Sequence, residues 1–202
     1  MKATEVFSKT EWAIDQAHTE IIFNVKQLMI AQVKGAFKSY DANIYTYGRD
    51  FSTSEIDIWI DASSLSTGDE MRDKHLKSRD FFHVKKYRQI TFRSGNIVQS
   101  DENGNYELWG GLTRMGVTKN IQLNVQFGGM LNNPWGNESA GFTVTGKIYR
   151  SDWGLIWNSS LESGGLMVSD EVVISCEVEL TKINPQRLVM QTEPVVCEEY
   201  VL

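Results

Sequence analysis

Apolar residues recur at every second position in one stretch of this chain after another, the period of a half-buried β-strand. Ile56, Ile58 and Ile60 alternate with Glu55, Asp57, Trp59 and Asp61. Ile21, Phe23 and Val25 stand against Ile22, Asn24 and Lys26, and Val33, Gly35 and Phe37 against Lys34 and Lys38. The same phasing returns at Ile90 and Phe92, at Tyr106, Leu108, Gly110 and Leu112, and at Ile121, Leu123, Val125 and Phe127. It ends with Phe142, Val144, Gly146 and Ile148, then Val172, Ile174, Cys176, Val178 and Leu180. Asp101-Glu102-Asn103-Gly104-Asn105 separates two of these runs with residues that accept the positive φ of a hairpin, so antiparallel pairing is expected. One segment departs from the pattern. Residues 67–76 carry acids first and bases last, as a helix dipole favours, and 78–82 add a further turn, predicting one short helical segment near residues 69–82.

An all-β chain of this kind hides its apolar faces between two packed sheets or inside one closed sheet. Glycines in the inward phase, Gly35, Gly110 and Gly146, favour a barrel, because glycine lets a strand coil and leaves room beside it; ordinary strand bulges are the alternative. With 202 residues, 23% charged and 41% hydrophobic, the chain has the composition of an ordinary globule. No linker divides it before Ile183, so residues 1–183 are read as one domain and 184–202 as a tail. The tail ends in Pro194-Val195-Val196-Cys197-Glu198-Glu199-Tyr200-Val201-Leu202, apolar enough to dock on its own barrel or to cross to a second copy in a homodimer.

Several functions are disfavoured. A net charge of −6 argues against a nucleic-acid partner. No apolar run reaches the roughly 20 residues of a transmembrane segment, and the amino terminus lacks a signal-peptide core, so a cytoplasmic location is expected. Both cysteines, Cys176 and Cys197, are then simplest as free thiols. His18, His75 and His83 lack metal-ligand spacing, Ser63-Ser64 lacks a nucleophile elbow, and no phosphate-binding glycine loop precedes a helix. No enzyme activity, metal or cofactor is expected.

Trp12-Ala13-Ile14-Asp15 followed by His18-Thr19-Glu20-Ile21-Ile22-Phe23-Asn24-Val25 resembles the opening of the YceI-like, polyisoprenoid-binding family. Val33-Lys34-Gly35-Ala36-Phe37, Asp61-Ala62-Ser63-Ser64-Leu65-Ser66-Thr67-Gly68, Arg72-Asp73-Lys74-His75-Leu76 and Asp80-Phe81-Phe82 continue the likeness. So do Gly111-Leu112-Thr113-Arg114-Met115-Gly116-Val117-Thr118-Lys119, Arg150-Ser151-Asp152-Trp153-Gly154 and Val168-Ser169-Asp170-Glu171-Val172. The resemblance runs from Trp12 to Leu180 and implies an extended antiparallel lipocalin-like β-barrel around an apolar tunnel. It implies a ligand with a long hydrocarbon tail: an isoprenoid quinone, a polyisoprenoid or a fatty-acid derivative.

For such a hydrophobic small-molecule ligand the expected lining is Phe23, Phe37, Ile58, Ile90, Phe92 and Leu112, with Leu123, Phe127, Phe142 and Val144. Phe81 and Phe82 are expected to cap or plug the mouth. Trp153 heads the string Trp153-Gly154-Leu155-Ile156-Trp157, which with Gly164-Gly165-Leu166-Met167 reads as a flap or a packed loop. Arg114, Arg150 and Asp152 are the head-group candidates, while Arg72, Asp73 and Asp80 are expected to fix the helix by ion pairs. The alternatives are a dry β-sandwich serving as an interaction or stress-response module, and an enzyme acting on a tunnel-bound lipid.

Overall fold

The alternating stretches fold as strands. The computed structural model describes residues 8–28, 30–102, 104–132, 136–158 and 167–184. Its strands are β1 (Lys9–Ile14), β2 (Glu20–Gln27), β3 (Ala31–Phe37), β4 (Tyr40–Tyr47), β5 (Asp50–Asp61) and β6 (Leu65–Ser66). After the helix α1 (Glu70–Leu76) come β7 (Gln89–Gln99), β8 (Asn105–Arg114), β9 (Val117–Asn132), β10 (Glu138–Tyr149) and β11 (Val168–Lys182).

Neighbouring strands pair antiparallel in the order β1-β4-β5-β7-β8-β9-β10-β11, and β1 also pairs with β11, so eight strands close into a barrel. Closure removes both sheet edges and excludes the two-sheet sandwich. β2, β3 and β6 prolong β1, β4 and β5 beyond a shared corner. There Tyr40 donates its hydroxyl to the Thr19 carbonyl at 2.5 Å, and Gln16 donates to the Tyr40 carbonyl at 2.8 Å. Ser64 Oγ accepts from the backbone of Lys38 and Ser39, which joins the β3–β4 connection to the β5–β6 connection. β11 runs past the corner unbroken, pairing with β1 at Leu180 and with β2 at Cys176. One wall, built from β10, β11, β2 and β3, therefore rises past the level where β7 begins and β8 ends.

The end away from the helix is plugged. Trp12, Ile44, Phe51, Ala140, Phe142 and Leu180 form a buried cluster there, with the Trp12 and Phe51 rings 5.2 Å apart and those of Phe51 and Phe142 4.9 Å apart. Trp12 Nε1 donates to Thr46 Oγ1 at 3.0 Å, and that hydroxyl donates to the Gly48 carbonyl, so the polar groups inside the plug are satisfied.

β1 and β4 were not separable from the sequence, because their inward positions include a polar residue, Thr46, while tyrosines at 45 and 47 occupy the other face. The helix covers only Glu70–Leu76, capped by the Asp69 side chain on the Arg72 amide. Residues 78–82 form turns instead: His83 takes a positive φ of 44°, and its amide returns to the Ser78 carbonyl. The tail reading for 185–202 lies outside the described residues. Among the described residues no helix is long and apolar enough to cross a membrane.

The three inward glycines are seats for neighbouring side chains. A Cβ on Gly35 would stand 2.2 Å from the Phe23 ring, one on Gly146 2.4 Å from Leu123, and one on Gly110 2.4 Å from Phe92 and 2.5 Å from the Arg93 carbonyl. At Gly110 the backbone oxygen cannot move aside cheaply. Gly110→Ala is expected to lower unfolding free energy by about 1–3 kcal/mol. Gly111→Ala, whose Cβ would meet only the Thr118 methyl at 3.2 Å, should stay within about 1 kcal/mol, both read by denaturant titration.

Candidate functional site: an apolar tunnel

Many inward apolar side chains are only half-buried: Phe23, Ile58, Val144, Val172, Ile174 and Val178 all fall in this class although each faces the barrel interior. A filled core would leave such residues inaccessible. They line a cavity of about 420 Å³ that begins at the plug, beside Phe51, Tyr106 and Phe142, and continues to Gln27, Val33, Met167 and Trp157 at the helix end. Lining positions on β11 run from Val168 to Leu180, about 40 Å of extended chain.

Of the residues expected to line it, Phe23, Phe37, Ile58, Ile90, Phe92 and Leu112 do, as do Leu123, Phe142, Val144 and Trp153. Phe127 does not. It pairs in register with Phe142 at the plug end of β9, and its ring packs in the plug, 5.8 Å from Phe51 and 5.4 Å from Phe142. The expected set omitted the β11 wall, Val172, Ile174, Cys176 and Val178, although its alternation already put these residues in one phase. It also omitted Phe51 and Trp157, which belong to no alternating run. Cys176 sits in the wall as a free thiol, and burial pushes it up to about 11.

The mouth is built from two irregular segments. Phe81 and Phe82 both reach the cavity because the turn before His83 splays them. Phe81 packs 4.9 Å from Trp157 and 5.2 Å from His75, whereas Phe82 meets Phe37 edge-on at 5.9 Å. Residues 150–153 form one 3-10 turn, whose period of three puts Arg150 and Trp153 on the inner side and leaves Asp152 exposed. Asp152 is not among the residues that line the cavity. Trp153 donates from Nε1 to the Leu112 carbonyl at 3.1 Å, fixing its indole across the barrel. Of the flap string, residues 159–166 lie outside the described residues, while Leu155 is buried.

Polar groups in the lining are few, and most are held by the protein itself. Arg150 donates to the carbonyls of Ser169, Leu155, Trp157 and Val168, which staples the mouth segment to the start of β11. Burial lowers its guanidinium, partly offset by Asp170. Arg72 donates to the Thr67 hydroxyl and carbonyl at 2.7 and 3.0 Å, and Asp73 accepts from the same hydroxyl at 2.6 Å. His75 contacts Asp80 at 3.2 Å. The trio Arg72, Asp73 and Asp80 thus anchors the helix through Thr67 and His75, not through ion pairs with one another. Arg114 differs from Arg150 and Arg72, which also line the cavity: it is 4% exposed, and none of its three nitrogens has a hydrogen-bond partner among the described residues.

Away from the tunnel, Asp15, His18 and Glu179 bring ligand atoms within 4.8 Å of one another. The His18 hydrogen bond to Asp15, 2.9 Å long, raises the imidazole and holds the carboxyl low, so the group reads as a clamp on the β1–β2 jog.

The sequence profile of the YceI-like domain matches residues 12–180. The chain belongs to the YceI-like family. A UPF0312 protein, SA2479 of Staphylococcus aureus strain N315, is 35% identical over 173 residues, covering 85% of this chain and 98% of that one. The crystal structure of a Campylobacter jejuni YceI protein superposes with a TM-score of 0.69 at 34% identity, covering 79% of this chain and 90% of that one. A polyisoprenoid-binding domain from Saccharophagus degradans shares the fold at a TM-score of 0.59 and 17% identity, over 85% and 98% of the two chains.

Arg150 can be tested as a staple of this YceI-like barrel. Arg150→Ala removes the guanidinium's bonds to four carbonyls and is expected to destabilise the protein by about 3 kcal/mol. Arg150→Lys should recover only part of that loss in the same denaturant titration, because a point-like ammonium cannot span carbonyls that far apart.

Proposed function

We propose that the protein binds one long-chain amphiphile, an isoprenoid or fatty-acid-like lipid, in the tunnel and sequesters or carries it without chemical change. The observation that carries this reading is the hollow itself: a closed barrel whose inward apolar residues stay half-exposed along a cavity of about 420 Å³. A volume in this range suits a small-molecule ligand. Each methylene moved from water into such a lining stabilises the complex by about 0.8 kcal/mol, so ten contribute about 8 kcal/mol before the cost of association. The YceI-like family membership and the polyisoprenoid-binding domain of Saccharophagus degradans among the fold neighbours support the same class of ligand. A binding role rather than turnover is supported by the lining, where Arg72, His75 and Arg150 are each engaged by neighbouring groups of the protein. A cytoplasmic setting and a homodimer formed through the tail belong to the same proposal.

Organic extraction of the natively purified protein, followed by mass spectrometry, should release a long-chain amphiphile in amounts approaching the protein's own. Val144→Trp, which places an indole in the lumen from β10, should cut that yield at least severalfold while the barrel's far-UV circular dichroism is retained. An extract empty of lipid, together with no rise in melting temperature on adding long-chain fatty acids, amides or quinones to the wild type, would overturn the reading.

A further inference from the structure

Among the described residues three arginines, Arg72, Arg114 and Arg150, line the tunnel together with His75, and no aspartate or glutamate does, in a chain whose net charge is −6. Two of the arginines are accounted for by bonds to Thr67 and to the carbonyls at the mouth. Arg114 is not.

Its position is set by the backbone. β8 ends at Arg114, and a two-residue turn with positive φ at Met115 (51°) and Gly116 (78°) returns the chain to β9, with Arg114 paired to Val117. This aims the side chain inward, at the level where the closed barrel gives way to its taller wall. The Phe82 ring lies against the guanidinium, 4.1 Å from its central carbon to the ring centroid. A ring on the face of the guanidinium satisfies none of the in-plane N–H groups, and Nε, Nη1 and Nη2 are left without partners. Burial lowers the group to about 10, and no carboxylate offsets the effect, so it is still a cation at neutral pH. A buried guanidinium charge without hydrogen-bond partners is unfavourable in an empty protein, and its planar N–H fork is complementary to an anion with two oxygens on one centre.

We propose that the tunnel's guest carries an anionic oxygen head, a carboxylate or a phosphate monoester, and that Arg114 binds it beneath Phe82. This rests on the lipid-binding reading above and specifies its ligand class. The tail then extends from Arg114 toward the Trp12 plug, past Ile58, Val144 and Cys176. A neutral amide, alcohol or quinone carbonyl supplies acceptors but no charge, and leaves the cation uncompensated.

The test uses delipidated full-length protein at pH 7.5 and four probes with one C18 tail: oleate, oleyl phosphate, oleamide and oleyl alcohol. Their affinities are read by displacement of the uncharged dye N-phenyl-1-naphthylamine. Oleate, oleyl phosphate or both should bind at least about tenfold more tightly than the two neutral probes, a gap of about 1.4 kcal/mol. Whichever anion leads identifies the source, free fatty acid or lipid phosphate. Arg114→Met should abolish the preference, so that all four probes bind alike, and Arg114→Lys should keep part of it. In the ligand-free state Arg114→Met should raise the melting temperature, since it removes an unpaired buried charge; a fall would mark Arg114 as structural and count against the proposal. Equal binding of all four probes, or an anion preference that survives Arg114→Met, would overturn the proposal and leave the lipid-binding reading standing. Failure of every probe to bind the wild type would overturn both.

Discussion

Closing eight strands into one sheet encloses an interior that the protein's own side chains must fill or leave open, and the rest of this structure follows from its being left partly open. The plug at one end is filled densely, with aromatic rings stacked on Trp12 and its indole nitrogen satisfied by Thr46. Beyond it the inward residues are large but lie down. Phe23 covers Gly35, Phe92 covers Gly110 and Leu123 covers Gly146, so bulky side chains coat the wall instead of meeting across the lumen. Glycine on one strand is thus the counterpart of an aromatic or leucine on its neighbour, and together they turn a potential core into a tunnel.

Strand class, antiparallel pairing, the barrel-forming glycines and most of the lining were legible in the sequence, because alternation reports directly which face a residue occupies. Legibility failed where alternation did. β4 mixes tyrosines outward with Thr46 inward, and its buried threonine makes sense only once Trp12 is seen beside it. Phe127 keeps the phase of its strand, but it stands at the plug end of β9, where its ring packs on Phe51 and Phe142 and not along the lumen. Asp152 is adjacent in sequence to groups that face the tunnel, but a 3-10 turn has a period of three and directs it to solvent. Each miss depends on partners far away in the chain, which alternation along one strand does not report.

The two arginines that ranked equally as head-group candidates prove physically opposite. Arg150 is saturated by carbonyls and shapes the mouth, whereas Arg114 is as deeply buried and has no oxygen partner among the described residues. Sequence cannot separate them, since both are single basic residues at strand ends. Only the count of satisfied donors does. That asymmetry divides the site into a structural rim, an apolar wall and one point of uncompensated charge, the division an amphiphile with one head and one tail requires.

The central claim, that a long-chain guest occupies the tunnel along its wall, is tested most directly at Cys176, which lines β11 between the mouth and the plug and pairs in register with Val144 and Ile21. In a Cys197→Ser background, the alkylation rate of Cys176 by a small uncharged thiol reagent would be measured at pH 8.5, with and without a saturating C18 amphiphile. Occupancy predicts that the amphiphile slows the reaction at least about tenfold, because the tail covers a thiol that only the lumen exposes. An alkylation rate that the amphiphile leaves unchanged, under conditions where it demonstrably binds, would place the guest elsewhere and contradict the account.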